Sequence, residues 1–178
     1  PSIFGSKALS FERDQKTHSL LRRLIGSGLK GAVLNEAFPI LRRNADECVD
    51  QILKHNEVAM QDYCADYTMD FVQKQLLGIT NVSERERSEL RDALDAWLAG
   101  LFSITAILRI PWLTRRSKPY KARLYLQARI EERIDYLLEH GPDSSTLSKM
   151  IFAVDDQSNS KLSRLQIIEN SLFLIAAG

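Results

Sequence analysis

A histidine and an arginine near the start of the chain have a spacing that suits the binding of an anion. His18 and Arg22 are four residues apart, so on a helix both side chains project from one face. A guanidinium offers a planar pair of donors to a carboxylate, and such a charge-assisted hydrogen bond contributes about 1.5–3 kcal/mol. On this pair alone, a solvated basic helix face is the simpler interpretation.

Two further patterns have the form of a binding site but the wrong surroundings. Residues 26–31 match the G-x-G-x-x-G spelling of a dinucleotide loop, yet they follow a basic amphipathic helix instead of a strand, which favours a glycine-rich helix end. Asp155 and Asp156 have the form of an aspartate-rich magnesium cluster without its third acid, so we expect a solvated turn. The three histidines lie in three different elements, and no metal site is predicted.

The two cysteines have no partner that would give them chemistry. Cys48 and Cys64 form neither a C-x-x-C pair nor a disulfide framework. We expect both to be buried small hydrophobic residues in a reduced, intracellular protein.

The composition is that of a globular protein. Basic and acidic residues number 24 and 23, and 44% of the residues are hydrophobic, which does not favour a nucleic-acid partner. The longest apolar stretch, residues 98–113, is interrupted by polar residues and a proline, so it is shorter than the roughly 20 apolar residues of a spanning helix. The sequence leaves open whether a membrane anchor precedes residue 1.

Helical periodicity covers almost the whole chain and predicts an all-α fold. Serine capping boxes mark the starts of two helices, Ser83 with Glu86 and Ser163 with Gln166. Gly78 and residues 141–142 mark two helix ends. The predicted helices cover residues 15–29, 37–55, 62–77, 83–101, 120–140, 146–154 and a last segment from 163 onward.

Two of these helices carry specific expectations. The second should place Pro39 in its first turn and turn Val49 and Leu53 inward. The last is apolar on nearly every side from Leu165 onward and should be buried all round. Because the chain starts without an initiator Met and stops inside the apolar run 172–178, we expect both ends to be internal to a longer protein.

Several patterns occur along the chain in a fixed order. They are Gly5-Ser6-Lys7-Ala8-Leu9-Ser10, His18-x-x-x-Arg22-Arg23, residues 66–78, Leu101-Phe102-Ser103 through Pro111-Trp112, Ala122-Arg123 and Leu174-Ile175-Ala176-Ala177-Gly178. Together they resemble the cytochrome P450 superfamily, most closely the branch with retinoic-acid hydroxylases. The resemblance implies an all-α partial P450 domain over residues 1–178, from the loop before helix C to the start of helix I, truncated at both ends.

The resemblance also implies roles for particular residues. His18 and Arg22 match the positions that contact the haem propionates, and Ala177 with Gly178 match the small residues of helix I that lie over the haem. The Phe102 to Trp112 link would form part of the roof of the substrate pocket or of its access channel. Phe173, one turn before Ala177, would face the pocket. The chain departs from the family at Leu29, where members commonly have Phe.

The activity that the resemblance implies is that of a haem-thiolate monooxygenase. It would insert one oxygen atom of dioxygen into a lipophilic substrate that is retinoid-, sterol- or fatty-acid-like, with electrons from a reductase or ferredoxin. In this family the cysteine that binds the iron follows a Phe- and Gly-rich loop, and neither Cys48 nor Cys64 does so. We therefore expect that cysteine after Gly178, together with the acidic residue and the hydroxyl residue (the acid-alcohol pair) that relay protons to the bound oxygen. This piece alone should be inactive. The alternative is a non-enzymatic helical ligand-binding or dimerisation module of a regulator, in which Trp97, Phe102 and Trp112 are core residues.

Overall fold

The computed structural model describes residues 6–55, 57, 59–80, 82–101 and 111–177, without the side chains of 32–34, 36, 101, 111–113 and 177. The described chain contains helices and no strand, which confirms the predicted all-α class. A 3-10 turn, Leu9–Phe11, precedes the helices, and a π-helical turn, Val72–Leu76, extends the third of them. The helices are α1 Gln15–Ser27, α2 Gly31–Ile52, α3 Met60–Phe71, α4 Glu84–Leu101, α5 Pro111–Arg116, α6 Lys118–His140, α7 Thr146–Phe152 and α8 Arg164–Ala177.

Helix α6 is the centre of the packing, because it contacts α4, α5, α7 and α8. Its apolar residues recur at helical spacing, as with Leu126, Ile130, Ile134 and Leu137, and each is at most 3% exposed. The α4–α6 pair is the most extensive helix contact. Helix α7 lies between α6, α8 and α1, and so connects the first helix to the last.

The predicted helix ends are confirmed where they depend on local chemistry. Ser83 N–H donates to the Glu86 carboxylate at 3.0 Å, and Glu86 N–H donates to the Ser83 hydroxyl at 3.3 Å. Ser163 and Gln166 form the corresponding box at the start of α8. Gly78 has φ +70°, the left-handed conformation that favours glycine at a helix end.

Helix α2 differs from the prediction at its start and on its outer face. It begins at Gly31 instead of residue 37, so Pro39 lies two turns inside the helix. Val49 is 51% exposed and Leu53 is 76% exposed, so the prediction that they face inward was wrong. Within the described residues α2 packs mainly against α3, so apolar residues on its far side remain exposed.

The exposure of the two cysteines has the same cause, because α2 and α3 lie at the edge of the packed helices. Cys48 on α2 is partly buried and Cys64 on α3 is exposed. The expectation of two buried cysteines was therefore wrong, most clearly for Cys64. Both thiols are free.

Candidate functional site

Helix α1 holds the predicted anion-binding pair, and its position is fixed at both ends. Asp14 caps the helix by accepting the Thr17 N–H at 2.8 Å, a hydrogen bond that lowers the pKa of this carboxyl. Leu21 and Leu24 on the inner face are at most 2% exposed. At the far end a Cβ on Gly28 would lie 3.1 Å from Cγ2 of Thr146, so the end of α1 approaches α7 closely.

His18 and Arg22 lie one turn apart on α1, as predicted. His18 is partly buried, whereas Arg22 is exposed. Within the described residues the Arg22 guanidinium makes no ion pair and no hydrogen bond with another side chain. Arg22 instead lines an open groove of about 560 Å³ that also includes Lys30 and residues 154–157. Its donors therefore remain available for an anion.

The adjacent arginine has a different role. Arg23 donates from Nε and Nη2 to the two carboxylate oxygens of Asp155 at 2.7 and 3.1 Å. Asp155 also accepts the Ser158 N–H at 3.0 Å and the Ser158 hydroxyl at 2.7 Å. Arg23 first, and Ser158 second, hold the pKa of this carboxyl well below its usual range.

The burial of Asp155 shows that the solvated turn predicted for its loop was wrong. Asp155 is 4% exposed, so it is a buried anchor for the loop before α8 and not part of a solvated turn. Asp156 beside it is exposed, as expected. Among the residues that the structure describes, no group of three His, Cys, Asp or Glu side chains could hold a metal ion.

Helix α8 carries the second set of predicted site residues. Phe173 is 40% exposed and lies one turn before Ala177. Leu165 is 43% exposed, so the prediction that α8 is buried all round was wrong. The Phe173 side chain is therefore only partly covered by the described chain.

The sequence interpretation missed the polar residues buried in the same helix. Glu169, Asn170 and Ser171 are 5%, 1% and 3% exposed. The signal was visible, because three consecutive polar residues interrupt an otherwise apolar helix. Each has hydrogen-bond partners in the structure, which explains why burial is tolerated.

The predicted site residues form two separate groups in the described chain. His18 and Arg22 share one face of α1, and Phe173 and Ala177 share one face of α8. No hydrogen bond or ion pair among the described residues joins these groups directly; the Arg23–Asp155 pair and α7 connect their helices. Trp112 is the second residue of α5 and its side chain is not described; Phe102 and Gly178 lie outside the described residues.

The helix arrangement is similar to that of two solved protein structures. Retinoic-acid-bound CYP120A1 from a cyanobacterium matches with a TM-score of 0.81 and 23% identity over 98% of this chain. Cytochrome P450 CYP268A2 of Mycobacterium marinum, in complex with pseudoionone, matches with a TM-score of 0.69 and 16% identity over 98% of this chain. This chain has the fold of part of a cytochrome P450. It spans 39% and 40% of the length of those two chains.

The P450 fold confirms the fold predicted from the order of the sequence patterns. No family model matches the chain, and no curated protein sequence matches it. At these identities the structural likeness establishes the fold, and the roles of the individual site residues stay predictions. Within the described residues, no helix of this P450-like chain is long and apolar enough to cross a membrane.

Proposed function

We propose that the chain supplies half of the haem clamp and part of the substrate chamber of a haem-thiolate monooxygenase. The observation that carries this proposal is the Arg22 guanidinium. It stands one turn from His18 on a helix of the P450 fold and has no protein partner among the described residues. An arginine left available on an otherwise anchored helix is suited to binding an external anion.

The residues fit a haem group by their chemistry. Haem carries two propionate carboxylates, and an Arg with a His at i and i+4 can donate hydrogen bonds to one carboxylate together. Arg23 is less suited to this role than Arg22, because its Nε and Nη2 already donate hydrogen bonds to Asp155. We therefore take Arg22 as the main propionate contact and His18 as the second.

The bound haem would supply the activation of dioxygen, and the chain's own residues would shape the space beside it. Ala177 and Gly178 lack bulk and leave room over the haem. Phe173, Trp112 and Phe102 would contact an apolar substrate and exclude water. A retinoid-, sterol- or fatty-acid-like substrate is supported by the two similar P450 structures, which hold retinoic acid and pseudoionone. Electrons would come from a reductase or a ferredoxin.

The test compares two adjacent arginines in the full-length protein. Arg22→Ala should lower haem affinity by about 10–100-fold, because a charge-assisted hydrogen bond to a carboxylate contributes about 1.5–3 kcal/mol. Arg23→Ala is the matched control, since it removes a neighbouring guanidinium that binds Asp155. It should lower stability and leave the haem content of the folded protein unchanged. Haem content is measured by the pyridine haemochrome assay, and thiolate ligation by the reduced carbon-monoxide spectrum.

The two measurements separate two kinds of failure. Normal haem affinity in Arg22→Ala would overturn the propionate assignment and with it the haem-clamp part of the proposal. A full-length wild-type protein that is folded but colourless, without the red-shifted thiolate Soret band, would overturn the proposed function and favour the helical regulator.

A further inference from the structure

A polar groove lies between helices α2, α3 and α4. Its volume is about 570 Å³, within the range of roughly 300–1,000 Å³ that is usual for small-molecule sites. Side chains of all three helices and of the π-helical turn line it. None of the residues that we assign to the haem or to the substrate lines this groove, so it is a separate feature of the molecule.

Hydrogen bonds and ion pairs join the three helices along the groove. The Tyr67 hydroxyl of α3 donates to the Leu41 carbonyl of α2 at 3.2 Å. Arg87 of α4 forms an ion pair with Asp70 of α3 at 2.7 Å. One turn along each helix, Arg91 of α4 donates to Asp66 of α3. The shape of the groove is therefore set before a ligand binds, which lowers the entropic cost of binding.

The cations that line the groove are already paired with carboxylates. Arg87 and Arg91 bind to α3 as described above, and Lys74 of the π-helical turn donates to Asp70 at 3.1 Å. An anionic ligand would have to compete with these carboxylates for the same donors. The groove is therefore poorly suited to an anion.

Two further carboxylates of the groove have no such partner. Glu47 of α2 and Glu84 of α4 are exposed, and neither makes an ion pair or a side-chain hydrogen bond within the described chain. They bring the lining to four carboxylates and three cations, so a cationic ligand balances the charge. No group of three His, Cys, Asp or Glu side chains in the described ranges is arranged to hold a metal ion, which favours an organic cation.

We infer that this groove binds a linear polyamine, a chain of ammonium groups separated by short methylene chains. The ammonium groups would bind Glu47 and Glu84, and the methylenes would lie against the rings of Tyr63 and Tyr67, which line the groove. An aromatic ring also attracts an ammonium group that lies over its face. The ion pairs of Asp66 and Asp70 would remain formed. This site is independent of the proposed haem function.

The two cysteines provide a reporter and its internal control. Cys48 lines the groove, whereas Cys64 is exposed on α3 outside the groove. In the full-length protein, saturating spermine should slow the alkylation of Cys48 by iodoacetamide at least about fivefold, because thiol reactivity depends on access. Alkylation of Cys64 should stay within about twofold of the rate without spermine. Mass spectrometry of the two peptides measures both rates in one sample.

Neutral variants test the two carboxylates directly. Glu47→Gln and Glu84→Gln should each raise the Kd of spermine, measured by calorimetry, at least about fivefold, because each removes one charge that binds an ammonium group. Glu139→Gln is the matched control, since it removes an exposed carboxylate of α6 that does not line the groove. Its Kd should stay within about twofold of wild type. All three positions are exposed, and unchanged thermal midpoints will show that the variants are folded.

Three results would overturn the inference. The first is an equal rise of the Kd in Glu139→Gln, which would mean that spermine responds only to the overall charge. The second is no spermine binding at about 1 mM. The third is binding without protection of Cys48, which would place spermine elsewhere on the protein. None of these results bears on the haem proposal, because that is tested separately by haem content and the thiolate Soret band.

Discussion

Replacement of Gly78 by Ala tests the junction that ends the π-helical turn after α3. Gly78 has φ +70°, and a Cβ at this position would lie 2.6 Å from Oδ2 of Asp143 and 2.9 Å from Oγ of Ser145. Asp143 cannot move freely, because it binds Arg133 and its Oδ1 accepts the Ser145 N–H at 2.9 Å. The Ser145 hydroxyl in turn caps α7.

The expected cost follows from two contributions. An alanine in the left-handed region costs about 1 kcal/mol relative to glycine. Displacement of the Asp143 carboxylate weakens a hydrogen bond to a charged group, which contributes about 1.5–3 kcal/mol. We therefore expect Gly78→Ala to lower the free energy of unfolding by about 2.5–4 kcal/mol, measured by urea unfolding of the full-length protein.

A double-mutant cycle separates the two contributions. Gly141→Ala is the control, because Gly141 has φ +93° and a Cβ there meets nothing within 4 Å; its cost is backbone strain of about 1–3 kcal/mol. In an Asp143→Ala background the cost of Gly78→Ala should fall by at least about 1 kcal/mol, whereas that of Gly141→Ala should stay unchanged. If the Gly78 and Asp143 changes are additive within about 0.5 kcal/mol, the collision argument is wrong.

Three further predictions concern an ion pair, a helix contact and the ligand chamber. Arg23 lowers the pKa of Asp155 in the folded protein. The decrease in the free energy of unfolding caused by Asp155→Asn should therefore be constant above about pH 5 and become smaller below about pH 4. Unfolding curves measured at acid pH test this, and a decrease that becomes larger in acid would contradict the expected sign. Gly100→Ala should destabilise by about 1–3 kcal/mol in urea, since its Cβ would lie 2.0 Å from Cβ of Pro119; a loss below about 0.5 kcal/mol would show that α4 and α6 accommodate the methyl group. Trp112→Ala should change the binding spectra of retinoid-, sterol- or fatty-acid-like ligands more than it changes the thermal midpoint, and the opposite result would give this residue a structural role.

The sequence by itself determined the helical class and the helix ends that depend on short-range chemistry. Ser83 and Glu86 are three residues apart, and their reciprocal hydrogen bonds form within one turn. Gly78 needs only its own backbone conformation to end a helix. The spacing of His18 and Arg22 placed them on one face for the same reason, since four residues make about one helical turn.

Only the tertiary structure decided which polar side chains are buried and which arginine is left available. The partner of Arg23 lies 132 residues away in the sequence, and the donors that satisfy Glu169 come from residues up to 163 positions earlier. Helical periodicity contains no information about such partners, so Asp155 was predicted to be solvated and α8 to be apolar throughout. Likewise, Val49 and Leu53 are exposed because of where α2 packs, although their spacing suits a buried face. Burial depends on which elements meet, and that is fixed by contacts between residues distant in the chain.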